Sequence, residues 1–293
     1  MDDNLTGKNY IVTGATSGIG LAITEILVQQ GAFVIGIGRS QDRCQQAEEH
    51  LYNLRSDASV RYLVADLSLQ SNIRKLVIDI HNVLTLQGKI YLDGLINNAA
   101  TVPFQLKLTS EGVEMQWAVN HLVPFLLTNL LLPLLKRAPT ARVVTVSSGT
   151  HRHGRIFWRD PQLRHCYFSL LAYANTKLAN ILFTVELNHR LGADSTVRAY
   201  AANPGLVRTD IGMKGNPGIA RLVWGLRRRK GIMPHESALG IVYLLTEPSI
   251  QDSNEVYWKH GHPLKPFPRA LDGDSARRLW ELSEHLCGLD VKP

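Results

Sequence analysis

Short apolar runs alternate with segments of helical periodicity along most of this chain. Asn9–Thr13 reads as a strand, and Gly18–Gln30 carries its apolar residues at helical spacing and stops before Gly31. Phe33–Ile37 reads as strand, Gln41–Arg55 as helix, Val60–Ala65 as strand and Leu69–Gln87 as helix. Tyr91–Asn97, Arg142–Ser147 and Thr196–Ala202 complete the strand series, with longer helices over Glu111–Lys136 and Leu170–Leu191. Period-two and apolar runs set against 3.6-residue periods, repeated in turn, predict an α/β fold. Its mostly parallel sheet is doubly wound, with helices on both faces.

No internal repeat, low-complexity stretch or linker interrupts this rhythm before Gly205, so all 293 residues are assigned to one domain. From there to Pro234 the chain is rich in Gly, Pro and Arg, and its periodicity weakens. This stretch is expected to cross the sheet edge as an excursion. Within it, Ile219–Leu226 followed by Arg227-Arg-Arg-Lys230 reads as a basic amphipathic substrate lid. Peripheral membrane contact is the less favoured reading of that segment.

Composition narrows the class. Hydrophobic residues are 45% of the chain and charged residues 19%, enough for a full core with a solvated surface. Cys44, Cys166 and Cys287 are far apart and odd in number, which predicts neither a disulfide framework nor a metal cluster and suits a reducing, cytoplasmic setting. The polar, acidic start, Met-Asp-Asp-Asn, does not read as a signal peptide. The most apolar segment, Leu122 to Leu135, is broken by Pro124 and Pro133 and is shorter than the roughly 20 residues a membrane span needs. It reads as a buried core helix. The formal charge is +7, with the excess clustered at Arg221 and Arg227–Lys230 and at Arg142, Arg152, Arg155, Arg159 and Arg164. No zinc-ligand spacing, RNA-binding signature or aromatic-basic interleaving points to nucleic acid.

The first predicted strand runs into Thr13-Gly-Ala-Thr-Ser-Gly-Ile-Gly20, just before a helix. Glycine lets the backbone turn tightly and approach a pyrophosphate, and a helix N-terminus supplies N–H groups and a positive dipole. Gly14, Ser17, Gly18, Ile19 and Gly20 are therefore candidate dinucleotide contacts in a Rossmann-type fold. The second strand ends Ile35-Gly-Ile-Gly-Arg-Ser40, where an acid would select NAD(H) through the ribose 2′-OH. Here no acid appears until Asp42. Arg39 has the forked guanidinium that suits a 2′-phosphate, with Ser40 and Arg43 beside it, so NADP(H) is the expected cofactor.

Tyr173 and Lys177 stand four residues apart on a predicted helix and so share a face. A phenol with an ordinary pKa of about 10 is a poor proton donor and acceptor at neutral pH. A fixed cation beside it favours the phenolate.

Taken in order, these motifs resemble the short-chain dehydrogenase/reductase family over nearly the whole chain. The glycine loop matches its cofactor loop. Asp66-Leu67 resembles the acid and neighbour that hold the adenine. Asn97-Asn-Ala-Ala100, with Asn98 and Ala99 as cofactor contacts, matches Asn-Asn-Ala-Gly except at the last position. Asn120 matches the helix asparagine, and Val143-Val-Thr-Val-Ser-Ser148 the strand ending in the catalytic serine. Tyr173-x-x-x-Lys177 matches the signature pair. Asn203-Pro-Gly205 and Thr209 resemble the loop beside the nicotinamide, making Pro204, Gly205, Val207 and Thr209 candidates.

Ser148 lies 25 positions before Tyr173, which leaves a long insert over 149–170. With Lys177-Leu-Ala-Asn-Ile-Leu-Phe and the tail Arg277-Arg-Leu-Trp-Glu-Leu-Ser283, this is similar to the retinol-dehydrogenase-like branch. The branch has Gly-His where this chain has Val123-Pro124, which bears on helix packing there.

The resemblance implies reversible hydride transfer between NADP(H) and a lipophilic alcohol, aldehyde or ketone. Tyr173 would be the general acid-base and Lys177 its partner on the nicotinamide ribose. Ser148 would donate to the substrate oxygen, and Asn120 would anchor a water. A homodimer or homotetramer pairing through the fourth and fifth helices is the family's common assembly. A catalytically silent, cofactor-sensing protein on the same fold is the alternative reading. Ser147 is the rival to Ser148, but strand alternation sends the two to opposite faces. His121 is expected in the core. His151, His153 and the aromatic residues Phe157, Trp158, Tyr167 and Phe168 fall in the insert, as parts of the substrate mouth or as packing for the insert itself.

Overall fold

The computed structural model describes residues 4–208 and 231–289. Eight strands form one sheet in the order β3-β2-β1-β4-β5-β6-β7-β8. They are β1 (Asn9–Thr13), β2 (Phe33–Gly38), β3 (Val60–Val64), β4 (Gly94–Asn97), β5 (Ala141–Val146), β6 (Val197–Asn203), β7 (Tyr257–Lys259) and β8 (His262–Pro263). Every pairing is parallel except β7 with β8. Successive side chains of a strand point to opposite faces. Ile11, Ile35, Leu95 and Val143 therefore enter one core, and Tyr10, Val12, Val34, Ile96 and Val144 the other.

The helices are α1 (Gly18–Gln29), α2 (Gln41–Leu54), α3 (Gln70–Leu86), α4 (Met115–Leu135), α5 (Ser169–Leu191), α6 (Pro234–Thr246) and α7 (Gly273–Cys287). The first core is closed by α3, α4, α5 and α7, the second by α1, α2 and α6. Sequence periodicity places the elements up to β6 to within a few residues. The largest differences are at α4, expected from Glu111 but starting at Met115, and at β4, expected from Tyr91 but starting at Gly94. There the buried Asp93 carboxylate accepts the Asn9 N–H at 2.8 Å and the Lys8 ammonium at 2.9 Å. Of the 205–234 excursion, residues 209–230 lie outside the described residues, and with them Thr209 and the basic lid segment.

Helix α4 starts well before the apolar run and, at 21 residues, is long and apolar enough to cross a membrane by length and composition alone. It is a core helix: Phe125, Leu126, Leu127 and Leu131 are fully buried. A π turn over Ala118–Leu122 interrupts it, with the Val123 N–H reaching back to the Ala118 carbonyl. The turn settles how Pro124 fits. Proline has no N–H and would break an α-helical ladder, but one residue past a π turn the ladder is already reset.

Helix α7 lies across α5 and reaches α4. The Trp280 ring meets Phe125 edge-on at 4.9 Å and stacks on Phe183 at 5.9 Å, while the Arg190 guanidinium covers it at 4.5 Å. The Ser283 hydroxyl donates to the Leu279 carbonyl, so the buried His121 must donate from Nε2 to Ser283 Oγ, at 2.9 Å. Burial drives the His121 pKa down to about 4, so the ring is neutral. His121 is thus a core residue, as expected. Helix α7 thus packs along α5, one of the two helices through which pairing was expected. Truncating Trp280 to Ala leaves a cavity between two aromatic rings and a guanidinium, and denaturant unfolding should show a loss of about 3–5 kcal/mol.

Candidate functional site

The strands of a parallel sheet all end at one edge, and the order reverses between β1 and β4, which leaves a crevice outside those two strand ends. The first residues after each strand build its walls. The Thr13 hydroxyl, at the end of β1, accepts the backbone N–H groups of Asn98 (2.9 Å) and Ala99 (3.0 Å) from the end of β4. The Asn98 amide in turn donates to the Thr13 carbonyl at 2.9 Å. These bonds hold the glycine loop at a fixed separation from the β4 turn. Gly14 has φ +67°, a conformation that side chains resist. A Cβ on Gly20 would collide with the Gly14 carbonyl and come within 2.6 Å of the Asn98 amide. Gly20 therefore lies behind the loop and allows it to fold onto α1, while Gly14, Ser17, Gly18 and Ile19 line the crevice. No side chain caps the first turn of α1, whose N–H groups and dipole suit a phosphate.

The crevice opens into a single cavity of about 1310 Å³. One end is formed by Arg39 and Ser40 after β2 and by Asp66 and Leu67 after β3. Arg39 is exposed, and the Ser40 hydroxyl accepts the Arg43 N–H to cap α2. Gly38 precedes them with no room for a side chain: a Cβ would lie 2.5 Å from both Thr16 Cγ2 and Cys44 Sγ. Asp66 turns one oxygen to the Ser68 N–H at 3.0 Å. Asn98 and Ala99 line the middle of the cavity. Ser148, Tyr173 and Lys177 line it too, as do Pro204, Gly205 and Val207 after β6.

Lys177 is the most constrained group in the site. It is 2% exposed, and its ammonium donates to the Val146 carbonyl at 2.9 Å and sits 5.4 Å from the centre of the Tyr173 ring. Burial lowers its pKa to about 7, because low-dielectric surroundings penalise the charged form. Strand alternation separates the two serines as expected. The Ser147 hydroxyl is buried and donates to the Lys177 carbonyl at 2.7 Å. Ser148 Oγ accepts the Thr150 N–H at 3.2 Å, which leaves its own proton to donate.

Asn120 is fully buried in the π turn and does not reach the cavity wall. Its side chain accepts from the Thr101 N–H (2.7 Å) and donates to the Thr101 carbonyl (3.0 Å), clamping α4 to the β4 turn. Because residue 124 is proline, no α-helical N–H is available to the Asn120 backbone carbonyl.

The insert divides its histidines. His151 is buried and doubly used, donating from Nδ1 to the Ser148 carbonyl at 2.8 Å and accepting the Phe267 N–H at 3.1 Å. It ties the insert to the C-terminal region and takes no part in the mouth. His153 and Phe168 do line the cavity. Trp158 packs under the Arg278 guanidinium at 4.3 Å. The Tyr167 hydroxyl bonds Glu114 Oε1 at 3.0 Å. Sequence reasoning missed Thr101, Pro103, Lys107, Met115 and Leu206, all of which line the cavity. They fall in loops or at an element end, where periodicity carries no signal.

The model of the family described as short chain dehydrogenase matches residues 8–219. Retinol dehydrogenase 14 of Mus musculus is 36% identical over 97% of this chain and 86% of its own length. Dehydrogenase/reductase SDR family member 13 of Homo sapiens is 35% identical over 98% and 74%. An uncharacterised protein of Mycobacterium paratuberculosis superposes with TM-score 0.72 at 33% identity, over 97% of this chain and 94% of that one. A short chain dehydrogenase of Shigella flexneri, solved with NADP, superposes with TM-score 0.68 at 22% identity, over 89% and 100%, and so shares the fold. A glycine crevice at the sheet's switch point, a strand-end serine and a tyrosine above a buried lysine thus recur in a chain whose relatives span almost its whole length. It belongs to the short-chain dehydrogenase/reductase family of oxidoreductases, in the retinol-dehydrogenase-like branch.

Proposed function

We propose that this protein is an NADP(H)-dependent oxidoreductase that interconverts a lipophilic alcohol with its aldehyde or ketone, acting in a reducing cytosol. One observation carries the reading. A single cavity joins Arg39 at one end to Ser148, Tyr173 and Lys177 at the other. The glycine cradle that a Cβ on Gly20 would destroy fits a dinucleotide pyrophosphate, and the Arg39 fork suits a 2′-phosphate. Gly38 supports the same preference, since an acid placed there would meet Thr16 and Cys44.

When bound, the nicotinamide supplies or takes the hydride. The protein's own groups position the substrate and handle the proton. The Ser148 hydroxyl donates to the substrate oxygen and stabilises its developing charge. Tyr173 gives that oxygen a proton in reduction and takes it back in oxidation. Lys177 keeps one N–H on the Val146 carbonyl and has two others for ribose hydroxyls. Its charge favours the phenolate of Tyr173. The Asn120 side chain is fully used, so its backbone carbonyl is the group that would hold a water linking Lys177 to solvent.

NADPH oxidation followed spectrophotometrically across aliphatic and aromatic aldehydes and ketones tests the proposal. Tight cofactor binding with no turnover of any carbonyl would favour the cofactor-sensing alternative. Tyr173→Phe should lower turnover by about 10²–10⁴-fold and leave NADPH affinity nearly unchanged, as read by fluorescence titration. Arg39→Asp should reduce the preference for NADPH over NADH by at least about tenfold in kcat/KM, a loss of some 1.4 kcal/mol of discrimination. With a pKa near 7, Lys177 is largely neutral in the free protein above that pH. An anionic cofactor beside it raises that pKa, so binding at about pH 8 should take up a proton. Calorimetry in buffers of different ionisation enthalpy should detect the uptake, and Lys177→Met should remove it.

A further inference from the structure

The substrate end of the cavity has a chemical bias of its own. Pro103, Met115, Phe168, Leu170 and Leu206 supply apolar wall, and Lys107 and Arg208 add positive charge. The only carboxylate lining the cavity among the described residues is Asp66, which follows β3 at the adenine end.

Lys107 is held in place through its backbone. Its carbonyl accepts the Met115 N–H at 2.9 Å, and Leu108 and Glu114 pair as a short antiparallel bridge beyond it. The acids of this segment are committed elsewhere. Glu114 is buried and accepts from the Gln116 and Trp117 N–H groups (2.9 and 2.7 Å) and from the Tyr167 hydroxyl. The Glu111 oxygens are taken by Gln70 and Ser71. Among the described residues no ion pair involves Lys107. Lys107 is exposed and lines the cavity.

Around it the rim is apolar. The Pro103 carbonyl accepts the Ser169 hydroxyl at 2.7 Å, which binds the insert to the β4 loop. This holds the exposed Phe168 (61%) and Leu170 (46%) to the same cavity that Pro103 and Lys107 line. A cation set among apolar side chains matches a molecule that is apolar along most of its length and anionic at one end. We propose that the substrate is an amphipathic carbonyl compound, with Lys107 pairing with an anionic group at the end remote from the reacting carbon. This rests on the oxidoreductase reading above and specifies its substrate class.

The test uses a homologous series of straight-chain ω-oxo acids and their methyl esters, with NADPH and the full-length protein. The acid and its ester share the reacting aldehyde and differ only in the remote charge. At the best chain length the acid should exceed its ester by about fivefold in kcat/KM, the size expected of a partly exposed ion pair. Lys107→Met should bring the acid down to the level of the ester. The ester's own kcat/KM and the KM for NADPH should stay unchanged, and Lys107→Glu should favour the ester. Equal reduction of acid and ester along the whole series would overturn this inference and leave the oxidoreductase reading standing. An unchanged acid preference in Lys107→Met would overturn it as well. So would a raised KM for NADPH in that variant, by placing Lys107 on the cofactor. Reduction of neither series would remove both readings.

Discussion

A parallel sheet with apolar side chains on both faces has no side that it can show to water. Strands β1, β2, β4 and β5 are buried throughout and β6 all but at Arg198, while the edge strand β3 exposes Arg61 and Val64, and that requirement organises the rest of the molecule. Helices must cover both faces, and the edge where the strands end is left open between them. The strand order reverses between β1 and β4, and the helices diverge there. The crevice follows from the winding of the chain, and the glycine loop, the β4 turn and the ends of β5 and β6 all empty into it. The same requirement explains α7. Helix α5 is buried along nearly its whole length, and its side away from the sheet needs a cover that Trp280, Leu279 and Ala276 provide.

Within that crevice the chemistry is governed by one desolvated cation. A lysine inside a protein shifts toward its neutral form unless something nearby favours its charge, and here the ammonium donates to a backbone carbonyl. The groups around Lys177 are held rigidly: Ser147 by the Lys177 carbonyl, Asn120 by Thr101, and His151 between Ser148 and Phe267. Polar groups that could have been chemical candidates act instead as fasteners around the Ser148 hydroxyl, the Tyr173 phenol and the Lys177 ammonium, which line the cavity.

Much of the fold and of the cofactor crevice was legible in the sequence because each depends on local patterns. Apolar period sets strand and helix, and glycines before a helix mark a loop that must approach a phosphate. Tyr173 and Lys177 follow from helical spacing. The parts that were not legible depend on contacts between distant segments. Helices α6 and α7 and strands β7 and β8 close the sheet, but nothing in their own periodicity announced where they pack. The π turn at Asn120 is visible only once Val123 is seen bonding to Ala118. His151 and His153 are two residues apart and look alike in the sequence, yet one is a structural clip and the other lines the cavity.

The sequence by itself determined the winding of the sheet, the glycine cradle, the Arg39 end of the cavity and the Tyr173–Lys177 pair, because each is written in residue type and spacing. Tertiary structure decided which polar groups are already used and which remain available. It buried Lys177, turned Ser147 away, tied Glu114 and Glu111 to backbone and hydroxyl groups, and left Lys107 at an apolar mouth. Hydrogen-bond satisfaction and burial depend on what lies across the fold, and no local pattern encodes them.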